Sequence, residues 1–172
     1  MCHFLVCNRK KGKREAVMEK DTEYRQQLLQ EYKQTAMPLL RYIPWFEKNA
    51  GQNPGGFYQD PEFTEHSMSI PVYDSTLMSF VREAGGSALM DRNYCYVYTR
   101  NHIRTHEDER RIIAAAELKD WNVLRGILSK YVLGGRTKST LWTQAVQENI
   151  FYLVLKKMRD IIEYWDRPVD IR

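Results

Sequence analysis

Cysteine is scarce in this chain and never paired: three residues, Cys2, Cys7 and Cys95, with no CxxC among them. An odd count without spaced pairs excludes a disulfide framework, and reduced thiols are expected. Structural zinc needs ligands spaced by about two to four residues, twice over; Cys2, His3 and Cys7 offer at most half of that, so no metal is predicted. No apolar run approaches the roughly 18 consecutive residues of a membrane-crossing helix. The opening MCHFLVC is too short for a signal peptide, and its basic cluster follows the apolar residues instead of preceding them. A cytoplasmic protein without membrane association is expected.

Catalytic and nucleotide signatures are missing as well. There is no GxSxG elbow. GGRTKST has the look of a phosphate loop, but the Walker spacing puts Gly directly before Lys, and Thr137 stands there. His106-Glu107 is followed by Asp108, Glu109 and Arg110, so HExxH is absent too. ATP or GTP binding by the Walker motif is excluded, and no cofactor is predicted.

What is there reads as an ordinary globular chain. Its 172 residues suit one domain, with 43% hydrophobic, 12% aromatic and 28% charged residues. The regular pattern is clearest after residue 119. Trp121, Leu124, Ile127, Leu128, Tyr131 and Val132 recur at intervals that place them on one side of a helix. Asp120 can accept from the first-turn amides, and Gly134 can close the helix in a left-handed conformation. A second run begins near Ser139, with Leu141, Trp142, Ala145 and Val146 inward. Asn149 tolerates a left-handed backbone and interrupts that run. Phe151, Val154, Leu155, Met158, Ile161, Ile162 and Trp165 then line a third helix; a single helix over residues 139–165 is the alternative to the break.

Upstream, Val17, Tyr24, Leu28, Tyr32, Ala36 and Leu39 align along another helix. Pro38 should end or kink it, having no amide for the carbonyl four residues back. LLRYIPWFEK reads as a second short helical piece, with Leu40, Ile43, Trp45 and Phe46 as anchors and Pro44 as punctuation. Residues 49–65 carry Gly51, Pro54, Gly55, Gly56 and Pro61 without an apolar period and read as a long loop. Asp74 caps a helix bearing Leu77, Met78, Phe80 and Val81 that stops at Gly85-Gly86. Residues 94–98, Tyr-Cys-Tyr-Val-Tyr, alternate like a strand and can pair with an extended stretch at 68–72. Thr105 caps a helix with Glu107, Asp108 and Glu109 in its first turn, Ile112, Ile113, Ala116 and Leu118 inward, and Arg110 and Arg111 outward. The prediction is a mainly α, single-domain bundle of about five or six helices, with room for one small two-stranded β-ribbon. Its expected extent is residues 17–166, between a flexible basic tail at 1–16 and a loose tail at 167–172.

Three strings carry a resemblance. RYIPWFEK, PVYD followed by a short helix, and LSKYVLGGRTKSTLWTQAVQENIFYLVLKKM together resemble a bacterial family of uncharacterised proteins, closing as it does in helix, basic turn, Trp-bearing helix and last helix. The likeness covers most of the chain from Leu39 onward and departs at Asn149, where the family pattern has Gly. It implies the helical fold and brings no established activity.

Charge supplies the functional signal. Between residues 125 and 159 there are seven basic residues, Arg125, Lys130, Arg136, Lys138, Lys156, Lys157 and Arg159, against one acid, Glu148, although the whole chain carries only +4. Cations around an inter-helix turn, next to the free amides of a helix start at Ser139-Thr140, can hold phosphates. Arg125, Lys130, Arg136 and Lys138 are the predicted contacts of a non-enzymatic binding or regulatory protein, conceivably from a mobile genetic element, with nucleic acid or an acidic protein as partner. A merely solvated basic face is the plain alternative. A second reading is a small hydrolase or nuclease using His102, His106 and Glu107 as an acid/base cluster. A third is a structural homo-oligomer whose aromatic stripes exceed what one chain can cover.

Overall fold

The computed structural model describes the backbone of residues 3–58 and 70–167, and the side chains of residues 22–56 and 72–167. The fold is mainly α: eight α-helices and one two-stranded antiparallel sheet among the described residues. No described helix is long and apolar enough to cross a membrane.

Helix α1 (His3–Leu40) is the longest. Leu29, Ala36 and Leu39 are buried, and the Tyr32 ring stacks on Trp121 with centroids 4.2 Å apart. Tyr24, expected on the same stripe, is exposed. Residues 3–16, for which composition predicts a tail, continue this helix: its Lys, Arg, Leu, Glu and Ala are good helix formers, and extending a helix adds one hydrogen bond per residue ordered. The side chains of His3 and Cys7 lie outside the described residues, as does all of Cys2. Pro38 does not stop α1, which runs on to Leu40; its missing donor falls in the last turn. Pro44 likewise opens helix α2 (Ile43–Lys48) without breaking it, because first-turn amides have no helical partner to lose.

Strand β1 (Gly55–Tyr58) pairs with β2 (Ile70–Tyr73), from Gly55 opposite Tyr73 to Tyr58 opposite Ile70. The expected ribbon partner was residues 94–98. They form helix α4 (Tyr94–Arg100) instead, after α3 (Ser75–Gly86). The reason lies in α6 (Trp121–Gly134): a Cβ on Gly126 would come within 2.6 Å of Val97 Cγ1, so α4 is pressed into a notch that only glycine leaves open. Tyr94 and Tyr98, four apart, share a helical face as readily as a strand face. Residues 55–58, read as loop, are strand, while 59–65 lie outside the described residues.

Capping largely follows expectation. Asp74 accepts from Thr76 and Leu77 amides at the start of α3. Thr105 accepts from Asp108 N while Asp108 Oδ2 accepts from Thr105 N, opening α5 (His106–Ala115). Asp120 differs: it accepts from Glu117 N and closes a short 3-10 turn, Leu118–Asp120, and makes no side-chain cap on α6 (Trp121–Gly134). Gly134 also differs. It stays inside α6, and Gly135 after it is right-handed at φ −63°. What glycine supplies here is room, since a Cβ on Gly135 would lie 2.0 Å from Trp142 Nε1. Helices α7 (Thr140–Gln147) and α8 (Ile150–Trp165) are separate, broken by Asn149 at φ 61°.

Helix α8 is the central rod, touching α1, α2, α5, α6 and α7. Ile150, Phe151, Val154, Leu155 and Met158 are fully buried; Trp165, at the stripe's end, is 42% exposed. Phe46, Phe80 and Phe151 pack edge-on or tilted at 4.8 to 5.4 Å, the geometry aromatic quadrupoles favour.

Candidate nucleic-acid face and adjoining groove

The four predicted contact cations separate into two pairs. Arg125 works inside the fold: its Nε and Nη2 donate to the carbonyls of Leu89 (3.0 Å) and Ala88 (3.1 Å), pinning the segment after α3 onto α6. Lys130 is also engaged, donating to Glu109 Oε1 at 2.9 Å with its ammonium over the rings of Tyr98 and Tyr131. Arg136 and Lys138, in the α6–α7 turn, are exposed, and neither meets an acidic side chain among the described residues. Arg136 lies against Gly85 at the end of α3, where the helix dipole suits a cation. Exposed Arg82, three residues before Gly85 on α3, shares that flank of the helix and is also without an ion pair among the described residues. The single acid of this region, Glu148, pairs with Arg110.

His102, His106 and Glu107 are not brought together. His102 sits in the turn before Thr105 with φ 53°, exposed, and Glu107 is exposed on the first turn of α5. His106 turns the other way, toward Glu109, with Nδ1 at 2.9 Å from Oε2. Sequence reasoning placed Glu109 among first-turn acids serving the helix dipole. In the structure it is fully buried. The available signal was its register: Glu109, Ile113 and Ala116 fall on one face, so an acid occupied the buried stripe.

Glu109 is held by four donors. Tyr98 Oη (2.5 Å) and Lys130 share Oε1; Tyr131 Oη (2.7 Å) and His106 share Oε2. Burial pushes the carboxyl's pKa up, but hydrogen bonds from Tyr98, Lys130, Tyr131 and His106 outweigh it and hold the group below the usual range. Burial, followed by the neighbouring carboxylate, raises both phenols well above their ordinary value, keeping them donors. Helices α4, α5 and α6 are thus tied at one ionic centre.

A fourth helix joins through the far side of the imidazole. In the tautomer whose Nδ1–H donates to Glu109, Nε2 is an acceptor, and Gln144 Nε2 of α7, at 2.9 Å, donates to it. Gln144 Oε1 has no hydrogen-bond partner within the described residues, and Gln144 lines a groove of about 470 Å³ between α7 and the β-ribbon. Asn53, Gly55, Gly56 and Tyr73 form the ribbon wall; Lys138, Thr140, Thr143 and Gln147 form the other. Gly55 brings the ribbon backbone close to α7, since a Cβ there would stand 3.4 Å from both Thr143 Oγ1 and the Tyr73 ring. The side chains of Thr140, Thr143 and Gln147 make no hydrogen bond among the described residues, so polar groups converge on the groove with their bonding capacity open.

No protein-family model matches this chain, and neither a curated protein nor a solved structure shows significant similarity to it.

Proposed function

We propose that this protein binds nucleic acid through its phosphates, using the α6–α7 turn as the contact. One observation carries the reading. Of the four basic residues predicted as contacts, Arg125 and Lys130 serve the fold, while Arg136 and Lys138 stay exposed where the chain turns into α7, with no ion pair among the described residues. The amides that open α7 add partial positive charge on the same side, and Arg82 extends the patch along α3. An exposed cation without a counter-charge attracts a polyanion and releases its condensed counterions on binding. A partner at this turn therefore touches Arg136 and Lys138, while Arg125 acts only on the segment after α3 and Lys130 only on the Glu109 centre.

Fluorescence anisotropy with labelled oligonucleotides over a salt series tests this. Affinity should fall steeply as salt rises, and Arg136→Glu with Lys138→Glu should lower both the affinity and the salt slope, by about one per lost phosphate contact. Affinity indifferent to salt and to both charge reversals would refute it.

A further inference from the structure

Resting on that reading, we propose that the groove between α7 and the β-ribbon seats one nucleotide of a single strand, with Gln144 meeting the edge of its base and Lys138 at its phosphate. Lys138 belongs both to the basic turn and to the groove lining, so a strand whose phosphates follow the turn has a path into the cavity. At about 470 Å³ the space lies within the common range for small-ligand sites.

The pattern of the walls favours a base. Tyr73 contributes an aromatic ring, the usual surface on which an unpaired base stacks. Gln144 contributes an oriented amide. Its orientation is inherited: Glu109, buried and ionised, accepts the Nδ1–H of His106, in that neutral tautomer the bare Nε2 accepts one Gln144 N–H, and the amide oxygen keeps no partner among the described residues at the groove that Gln144 lines. A glutamine free in solution presents either end; this one presents an acceptor, so the groove prefers a base edge that carries a donor. Thr140, Thr143 and Gln147 stand ready for sugar and phosphate oxygens. A duplex keeps its base edges paired and stacked and cannot place one in this cavity, whereas an unstacked single strand can.

The test compares short single-stranded homopolymers, a duplex of the same length and a free mononucleotide, using the full chain, Gln144→Ala and the isosteric Thr143→Val. The wild type should prefer single strand to duplex by about tenfold, the scale of one stacked base. Gln144→Ala should bring the homopolymer affinities to within about twofold of one another while leaving the salt dependence that the phosphates impose. Thr143→Val, which removes only a hydroxyl without a partner among the described residues, should weaken single-strand binding with the melting curve unchanged. Equal affinity for duplex and single strand would overturn the groove assignment, as would a homopolymer spread unchanged in Gln144→Ala. A mononucleotide that competes as tightly as the strand would overturn the commitment to a strand. Loss of all nucleic-acid binding in the wild type would instead refute the reading on which the proposal rests.

Discussion

Replacing Glu109 is the most informative perturbation of the fold. Its carboxylate is fully buried and accepts from Tyr98, Lys130, Tyr131 and His106, residues of three helices. In Glu109→Ala the Tyr131 hydroxyl, on a wholly buried residue, loses its carboxylate acceptor, at about 1–3 kcal/mol, and a void replaces the side chain. Lys130, with 29% of its side chain exposed, can turn toward water and recover part of its solvation. The sum falls near the 3–5 kcal/mol typical of breaking a buried ion pair, about 4 kcal/mol. At about 2–4 °C per kcal/mol for a chain of this size, the melting temperature should drop by roughly 10 °C. Glu109→Gln separates charge from volume: it keeps the shape, but its amide nitrogen meets donors, so most of the loss should remain. Exposed Glu107→Ala is the control and should change stability by less than about 0.5 kcal/mol.

The same variant has a pH signature. The folded carboxyl is depressed, so it binds fewer protons than in the unfolded chain above its own pKa. Its contribution is present above the ordinary carboxylate pKa and is lost as pH falls through the lower folded value. Urea midpoints of wild type and Glu109→Gln should therefore converge as pH falls below the ordinary carboxylate range. A Glu109→Gln protein within about 1 kcal/mol of wild type at neutral pH, or a gap that does not narrow in acid, would show that this centre does not organise the helices.

Three further outcomes follow from the packing. Gly126→Ala puts a methyl 2.6 Å from Val97 Cγ1 and should destabilise the chain by about 1–3 kcal/mol in a urea titration, despite the better helix propensity of alanine. Asn149→Ala should lose about 1–2 kcal/mol in thermal melts, because alanine resists φ 61° and cannot replace Asn149 Oδ1 as acceptor for Gly51 N; Asn149→Gly should lose less, since it removes only the second of these. Arg125→Met should speed amide exchange at residues 88–90 by releasing the carbonyls that the guanidinium holds, while leaving the salt slope of nucleic-acid binding unchanged.

The distribution of charge shows where sequence reasoning reached its limit. Seven cations between residues 125 and 159 are legible by counting, and two of the four selected as contacts, Arg136 and Lys138, do face outward. Arg125 and Lys130 look identical to them in one dimension. What separates them is the position of Leu89 and Glu109, 36 and 21 residues away along the chain. The strand expected at residues 94–98 failed for the same kind of reason: alternation describes a residue's own faces, whereas the notch at Gly126 that receives Val97 belongs to another helix.

Sequence alone determined the helices after residue 119 and most of their buried faces, while the structure decided for the break at Asn149 over one continuous helix. An apolar side chain needs only to leave water, and its spacing along one element records which side does so. Tertiary structure alone decided that Glu109 is a buried anion, that His106 orients Gln144, and that a groove lies between α7 and a ribbon formed partly from an apparent loop. A polar group is defined by its partner, and those partners are brought within hydrogen-bonding distance only when the helices pack.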